Sequence, residues 1–203
     1  MSRRRTKSRS GELFRNKHDS EEGKKRNIMR EIIGSILYVA FICLIVYMIL
    51  HYVGQRTVVH GDSMDNTLKD GQNLIMDKIS YRFHDPERFD IVIFPYQYAA
   101  NTYFIKRVIG LPGERVRIDE QGNIFINDEL LKESYGYERM EYAGLAAEEI
   151  QLGDDEYFVL GDNRNVSEDS RYPDVGNIKR SNIIGRAWLR IYPFSEFGLL
   201  TDR

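Results

Sequence analysis

Residues 103–110 read Tyr-Phe-Ile-Lys-Arg-Val-Ile-Gly, so that aromatic and β-branched residues surround two adjacent basic ones. This composition, ending at a glycine, predicts a β-strand. Successive side chains of a strand point to opposite faces, so either Lys106 or Arg107 is expected to face the interior. The lysine is then either a solvated surface residue or a buried amine.

Seven further runs of the same type follow one another between turn signals along the 203-residue chain. They lie at residues 56–61, 73–79, 90–94, 114–119, 123–126, 156–160 and 184–192. The polar sequence 119–123, which contains a glycine, predicts a hairpin, and only residues 138–150 show a weak helical pattern. We therefore expect an all-β domain with a barrel-like antiparallel architecture.

A long apolar segment precedes these strands. Residues 32–50 are 19 consecutive uncharged residues, and as a helix they would span about 28 Å, close to the ~30 Å of a bilayer core. A buried helix of a soluble protein seldom runs so far without a charge. A cleavable export signal has a shorter apolar region that ends in a small-x-small site. The sequence predicts an uncleaved transmembrane helix at residues 32–53.

Charge is distributed unevenly about this helix. Residues 1–31 carry a net charge of +6 and the remainder −8, although the whole chain has only −2. A basic arm could bind nucleic acid, but next to a membrane span the positive-inside rule explains it. We expect a polar, disordered cytoplasmic tail at 1–31, a domain outside the cell membrane at 54–203, and no nucleic-acid partner.

The sequence predicts neither a metal site nor an intramolecular disulfide. The one cysteine, Cys43, cannot form an intramolecular disulfide, and no Cys/His spacing resembles a zinc site. The polar cluster at 161–171 lacks the residue order of an EF-hand loop. We expect neither a metal ion nor a cofactor.

Ser63 is a candidate nucleophile because it directly follows a predicted strand, in Gly61-Asp62-Ser63-Met64. The motif is not a Gly-x-Ser-x-Gly elbow, since residue 65 is aspartate. A Ser-His-Asp triad would require His60 or His84. A serine in a loop is more often structural than catalytic.

Lys106 offers a different way to activate a serine. Burial disfavours the charged form of a lysine, so that its pKa falls from about 10.4 towards neutrality. A neutral lysine can serve as a general base.

Three segments behind the N-terminal helix together resemble the bacterial type I signal peptidases, in the single-anchor form of Gram-positive bacteria. The resemblance covers roughly residues 53–194. The segments are Gly61-Asp62-Ser63-Met64 with Thr67 and Leu68, residues 106–114, and residues 161–164 with Ser167, Asp169, Ser170 and Arg171.

This resemblance implies a membrane-anchored serine protease, without a cofactor, that cleaves signal peptides from exported precursors after small-x-small motifs. Its partners would be signal peptides, the lipid bilayer and the secretion translocon. Ser63 would be the nucleophile, with its backbone N–H in the oxyanion hole, and Lys106 the general base. Ser167 would hydrogen-bond the lysine amine, and Asp169 would pair with Arg171 and Arg107. The residues matching the substrate pockets are Val59, Met64, Leu68, Phe104 and Ile105.

Asn66 departs from the family pattern, which usually has proline at this position, and is expected to loosen the turn beside the nucleophile. The departure leaves open a non-enzymatic relative that binds peptides or assembles pili at the membrane. A soluble self-cleaving repressor with Ser–Lys chemistry would need a DNA-binding domain and an Ala-Gly bond ahead of the serine, and the sequence has neither. Residues 128–155 match no motif.

Overall fold

The computed structural model describes residues 9–48, 54–136 and 138–200. The chain divides into two compact units, with the division between Ile49 and Leu50.

The N-terminal unit is a single helix, α1 (Arg9–Met48). Among the described residues, its segment Met29–Met48 is the one helical stretch long and apolar enough to cross a membrane, with a mean hydropathy of 2.2 and no part of it buried. Residues 32–48 of the predicted span lie in this helix, whereas residues 49–53 lie outside the described residues.

The expectation of disorder in the basic tail is wrong for residues 9–31, where α1 has already begun. Glu, Lys and Arg are good helix formers. Extending an existing helix adds one hydrogen bond per residue, without a new nucleus. Residues 1–8 of the predicted tail lie outside the described residues.

The C-terminal unit consists of two antiparallel sheets. Its strands are β1 (Gly54–Val58), β2 (Asn73–Asp77), β3 (Ile91–Pro95), β4 (Tyr103–Gly110), β5 (Arg115–Ile118), β6 (Ile124–Ile126), β7 (Glu129–Leu130), β8 (Ile150–Gln151), β9 (Glu156–Leu160), β10 (Ile178–Lys179), β11 (Gly185–Tyr192) and β12 (Gly198–Leu199). The larger sheet has the order β1-β2-β11-β3-β4-β9-β10, with β12 paired to β11, and the smaller has the order β7-β6-β5-β8.

The prediction of an all-β domain is confirmed, and all eight predicted strands are present within a few residues of their expected bounds. In the described part of the chain both sheets are open rather than closed into a barrel, because β5 to β8 pair with one another and not with the edge strands β1 and β10. The predicted hairpin joins β5 to β6, with Ile118 opposite Ile124. The weak helical pattern yields one short 3-10 turn, Gly144–Ala147.

Strand β3 explains how the larger sheet can carry a buried site. Its residues 91–94 are all buried, with Ile91 and Ile93 in one apolar cluster and Val92 and Phe94 in another. Since alternate residues of a strand face opposite sides, both faces of the sheet are covered here. Strand β4 lies beside β3, with Lys106 opposite Val92, and so passes through this covered region.

Candidate active site

Ser63 and Lys106 are brought together from different parts of the β domain. Ser63 lies in the loop between β1 and β2, and Lys106 lies in the middle of β4. The Nζ of Lys106 donates a hydrogen bond to the Oγ of Ser63 over 2.8 Å. The predicted nucleophile is therefore in contact with the predicted base rather than with either candidate histidine.

The amine of Lys106 is enclosed, since the residue is only 3% exposed. Its Nζ lies 5.0 Å from the centroid of the Phe104 ring. Burial lowers the pKa of Lys106 to about 8, although the nearby carboxylates of Asp169 and Glu168 raise it. The neutral amine that a general base requires is then far more abundant near neutral pH than in a solvated lysine.

Arg107, the next residue on β4, is also only 3% exposed. Its Nε and Nη2 donate to the carboxylate of Asp162 at 2.9 and 2.7 Å, and its Nη1 donates to the carbonyl of Phe89 at 2.8 Å. The guanidinium carbon lies 3.6 Å from the ring centroid of Tyr135. Arg107 is thus a fixed, fully paired cation.

The expected pairing of Arg107 with Asp169 is therefore wrong, because its partner is Asp162. The sheet register explains the difference. Arg107 lies opposite Leu160 of β9, and Asp162 follows two residues later.

The predicted pairing of Asp169 with Arg171 is confirmed. The Nε of Arg171 lies 2.7 Å from Oδ1 of Asp169, and both side chains are fully buried. The guanidinium also donates to the carbonyls of Tyr142 and Arg164, at 2.9 and 2.6 Å. The other carboxylate oxygen of Asp169 accepts the backbone N–H of Gly161 over 3.0 Å, so this ion pair fixes the segment that follows β9.

The loop that carries Ser63 is held by these two distant segments. The Oγ1 of Thr67 donates to Asp162 over 2.5 Å, and Nη2 of Arg107 donates to the same Oγ1 over 3.2 Å. The N–H of Asn163 donates to the carbonyl of Ser63 over 3.1 Å. Sequence reasoning missed this bridging role of Thr67 and Asp162, although both residues lie within the motifs that carried the resemblance.

Asn66 does not loosen this loop. Its φ is +85°, in the left-handed region that asparagine tolerates better than other residues with a side chain. The N–H of Asn66 donates to the side chain of Asp65 over 2.7 Å, and the turn is closed by Thr67 N–H on the carbonyl of Met64 at 3.0 Å. A proline, whose φ is fixed near −65°, does not fit this backbone.

Ser167 is buried beside the nucleophile loop. In the described part of the protein its Oγ has no hydrogen-bond partner, so the bond predicted with the lysine amine is not formed in this structure. A Cβ at position 161 would collide with this Oγ and with the carbonyl oxygen of Ser63. Gly161 therefore permits the close approach of Ser167 to the Ser63 backbone.

An open cleft of about 510 Å³ contains Ser63 and Lys106. Four of the five predicted pocket residues line it: Val59, Met64, Phe104 and Ile105. The fifth, Leu68, is fully buried and packs in the apolar cluster that contains Val59 and Met64. Sequence reasoning missed further lining residues, which include His60, Tyr103, Val166 and Glu168.

Within residues 9–48, 54–136 and 138–200, no three His, Cys, Asp or Glu side chains are placed to hold a metal ion.

Comparisons with known proteins give one consistent result. The family described as signal peptidase, peptidase S26, matches residues 32–192. A probable signal peptidase I-2 of Synechocystis is 42% identical over 158 residues, which cover 74% of this chain and 69% of the relative. Signal peptidase IB of Staphylococcus aureus (strain COL) is 31% identical over 185 residues, or 83% of this chain and 93% of the relative. A solved signal peptidase I from Enterococcus faecalis V583 has 32% identity and a TM-score of 0.41, covering 51% of this chain and 97% of that one.

Proposed function

Because the chain belongs to the signal peptidase family, peptidase S26, we propose that the cleft at Ser63 and Lys106 is the site where it cleaves signal peptides. The protein is a serine protease of the signal peptidase I type, and its substrates are the signal peptides of exported precursors. The observation that carries the site assignment is the 2.8 Å contact between Lys106 Nζ and Ser63 Oγ. Membership of a peptidase family argues against the alternative of a non-enzymatic relative, which the departure at Asn66 left open.

Ser63 acts as the nucleophile and Lys106 as the general base. A neutral amine takes the hydroxyl proton of Ser63 while the oxygen attacks the scissile carbonyl. The resulting ammonium gives this proton to the departing amine of the mature protein. The same amine then activates a water molecule that hydrolyses the acyl-enzyme. The backbone N–H of Ser63 donates to the oxyanion.

The pKa of Lys106 fits this cycle. With a pKa of about 8, about a tenth of the amine is neutral at pH 7. The ammonium formed in the first step is still acidic enough to protonate a leaving amine. A solvated lysine, with a pKa near 10.4, would be neutral far too rarely.

Ser167 orients the amine once a substrate fills the cleft. Support comes from its buried hydroxyl, which has no partner in the described residues of the free protein. In the substrate complex this hydroxyl would accept a hydrogen bond from the amine of Lys106. The Arg171–Asp169 pair and the Arg107–Asp162 pair hold the segments that carry these groups.

Precursors with small residues at positions −1 and −3 fit the cleft best. Apolar side chains of Val59, Met64, Phe104 and Ile105 lie around Ser63, and a longer substrate side chain would meet them. One methylene group in such a pocket is worth only about 1–3 kcal/mol. Alanine is therefore preferred, with glycine and serine tolerated.

Membrane anchoring is supported by the helical segment Met29–Met48, whose apolar surface is exposed. We assign residues 1–31 to the cytoplasm because of their +6 charge and residues 54–203 to the outer side of the cell membrane. This orientation places the cleft where exported precursors emerge from the translocon. Protease added outside intact spheroplasts should digest residues 54–203 and spare the tail, and digestion of the tail alone would contradict the assignment.

The decisive experiment is cleavage of a signal-peptide precursor by the full chain in detergent. The wild-type protein should release the mature product, and Ser63→Ala should release none while remaining folded. Ser134→Ala, which changes an exposed serine, is the matched control and should act like the wild type. Product formation by Ser63→Ala at the wild-type rate would overturn the assignment.

A further inference from the structure

Tyr96 belongs to none of the three motifs, yet its ring stacks on a residue of the cleft. The rings of Tyr96 and Phe104 lie nearly parallel, at 15°, with their centroids 4.6 Å apart. The ring of Phe94 meets Phe104 edge-on from another side at 6.1 Å. Two aromatic neighbours thus restrict where the Phe104 ring can lie.

The Phe104 ring in turn forms part of the apolar surroundings of the Lys106 amine. Its ring centroid lies 5.0 Å from the Nζ of Lys106, and it lines the cleft beside Ser63. Phe104 itself is half-buried, whereas Lys106 is only 3% exposed. If the ring turned away, the amine would lose part of its apolar cover on this side of the cleft.

The backbone around Tyr96 is anchored at two points. Tyr96 begins the loop between β3 and β4, and its N–H donates to the carbonyl of Thr102 over 2.9 Å. The side chain of the next residue, Gln97, donates to the carbonyl of Asp174 over 2.9 Å. These two hydrogen bonds fix the backbone of the loop that carries the Tyr96 ring.

We propose that Tyr96 is a positioning residue, whose ring holds the Phe104 ring against the amine of Lys106 and thereby keeps water from it. The inference rests on the proposed role of Lys106 as the general base. Tyr96 touches neither Ser63 nor the reacting atoms, and acts through Phe104 alone.

The charged groups around Lys106 do not depend on this stack. The carboxylates of Asp169, Glu168 and Asp162 raise the pKa of Lys106, and the guanidinium of Arg171 lowers it. Burial raises the pKa of Tyr96, and the carboxylates of Asp174 and Glu168 raise it further. The phenol is therefore uncharged at working pH, and removal of its ring changes the solvation of Lys106 rather than the local charge.

The test compares Tyr96→Ala with Tyr96→Phe in the full chain, by the pH dependence of kcat/KM. Loss of the stack admits water, which stabilises the ammonium and raises the pKa of Lys106. The acid limb of Tyr96→Ala should therefore move up by about 0.5–1 pH unit, a loss of roughly three- to tenfold at pH 7 that is recovered above pH 9. Tyr96→Phe keeps the stack and should retain the wild-type profile.

Tyr98→Ala is the matched control, because Tyr98 lies in the same loop, is 66% exposed and meets the Tyr96 ring edge-on rather than the Phe104 ring. The pH profile of kcat/KM for Tyr98→Ala should match that of the wild type. Should Tyr96→Ala fail to fold, Tyr96→Leu removes the flat ring while keeping apolar bulk, and the same upward movement is expected.

A second readout separates this inference from the role of the base. The amine of Lys106 is titrated directly by NMR in lysine-labelled protein, with the resonance assigned by its loss in Lys106→Arg. A raised amine pKa together with a moved acid limb supports both proposals. A raised amine pKa with an unmoved limb supports the role of Tyr96 and contradicts that of Lys106. An unchanged amine pKa in Tyr96→Ala overturns the inference.

Discussion

Lys106 and Arg107 are neighbours on β4, and each is only 3% exposed, yet their side chains end in different electrostatic surroundings. The amine of Lys106 faces the Ser63 hydroxyl and the Phe104 ring, and burial lowers its pKa to about 8. The guanidinium of Arg107 instead forms a buried ion pair with the carboxylate of Asp162. One strand thus presents a proton acceptor and a fixed charge side by side.

Lys106→Arg should abolish cleavage, because a guanidinium cannot act as a base at working pH. We expect a fall in kcat/KM of at least about 100-fold, measured on a purified precursor, with the fold retained. Lys132→Arg, at an exposed position, makes the same chemical change and should leave the rate unaltered. Wild-type activity in Lys106→Arg would reject the lysine mechanism and return attention to His60 and His84.

Activity should rise with pH through a single ionisation near 8, the pKa of Lys106. Glu168 raises this pKa, so Glu168→Gln should lower it and move the acid limb of kcat/KM to lower pH. Glu148→Gln, an exposed change outside the cleft, should leave the limb in place. An upward movement in Glu168→Gln would show that Glu168 does not act on Lys106 through charge.

Asp162→Asn should destabilise the β domain. The Arg107–Asp162 pair is buried, with side chains only 3% and 0% exposed, and removal of one partner of such a pair costs about 3–5 kcal/mol. The fluorescence of Trp188, the single tryptophan, reports urea unfolding of the full chain. Asp128→Asn breaks the exposed pair with Arg115 and should barely move the midpoint. Equal midpoints for the two variants would contradict the buried ion pair.

Asn66→Pro should impair the nucleophile loop even though proline matches the family pattern. The φ of +85° is closed to proline, so the turn must rearrange at a cost of about 1–3 kcal/mol. We expect at least about a tenfold loss of kcat/KM in a precursor assay. Asn66→Gly accepts the same φ and should stay close to wild type. A fully active proline variant would show that the loop adopts another turn.

Ser167→Ala should separate catalysis from stability. Because the hydroxyl is buried without a partner in the described residues, its removal should leave the unfolding midpoint unchanged or raise it. The loss of its contact with the amine should lower kcat by roughly tenfold or more. Ser170→Ala is the contrast, since that hydroxyl accepts the N–H of Val159 over 2.9 Å and its loss should destabilise the fold by about 1–3 kcal/mol. A Ser167→Ala variant with wild-type kcat would remove Ser167 from the mechanism.

The sequence predicts the longer strands well because their composition is local. The unbroken apolar run of β3 and the basic pair of β4 are visible without any tertiary information. The two-residue strands β7, β8, β10 and β12 are too short to leave an alternating pattern, so only tertiary contacts define them.

The candidate active site likewise combines features that the local sequence predicts with features that only tertiary contacts define. The motifs predict Ser63 and Lys106, but the partner of Arg107 depends on the register between β4 and β9. The burial of Leu68 depends on how the loop folds under Val59 and Met64, and the left-handed turn at Asn66 replaces the family's proline without a signal in the pattern. Such three-dimensional relations cannot be derived from residue spacing.

The support of the Ser63 loop has a consequence for the order of events in biosynthesis. Thr67 is held by Asp162, 95 residues further along the chain, and Arg107 by the same carboxylate. A chain that has been synthesised only as far as β4 already contains the serine and the lysine but lacks the residues that lock them in place. The nucleophile loop therefore gains its full support only after the segment beyond β9 has been synthesised and has folded.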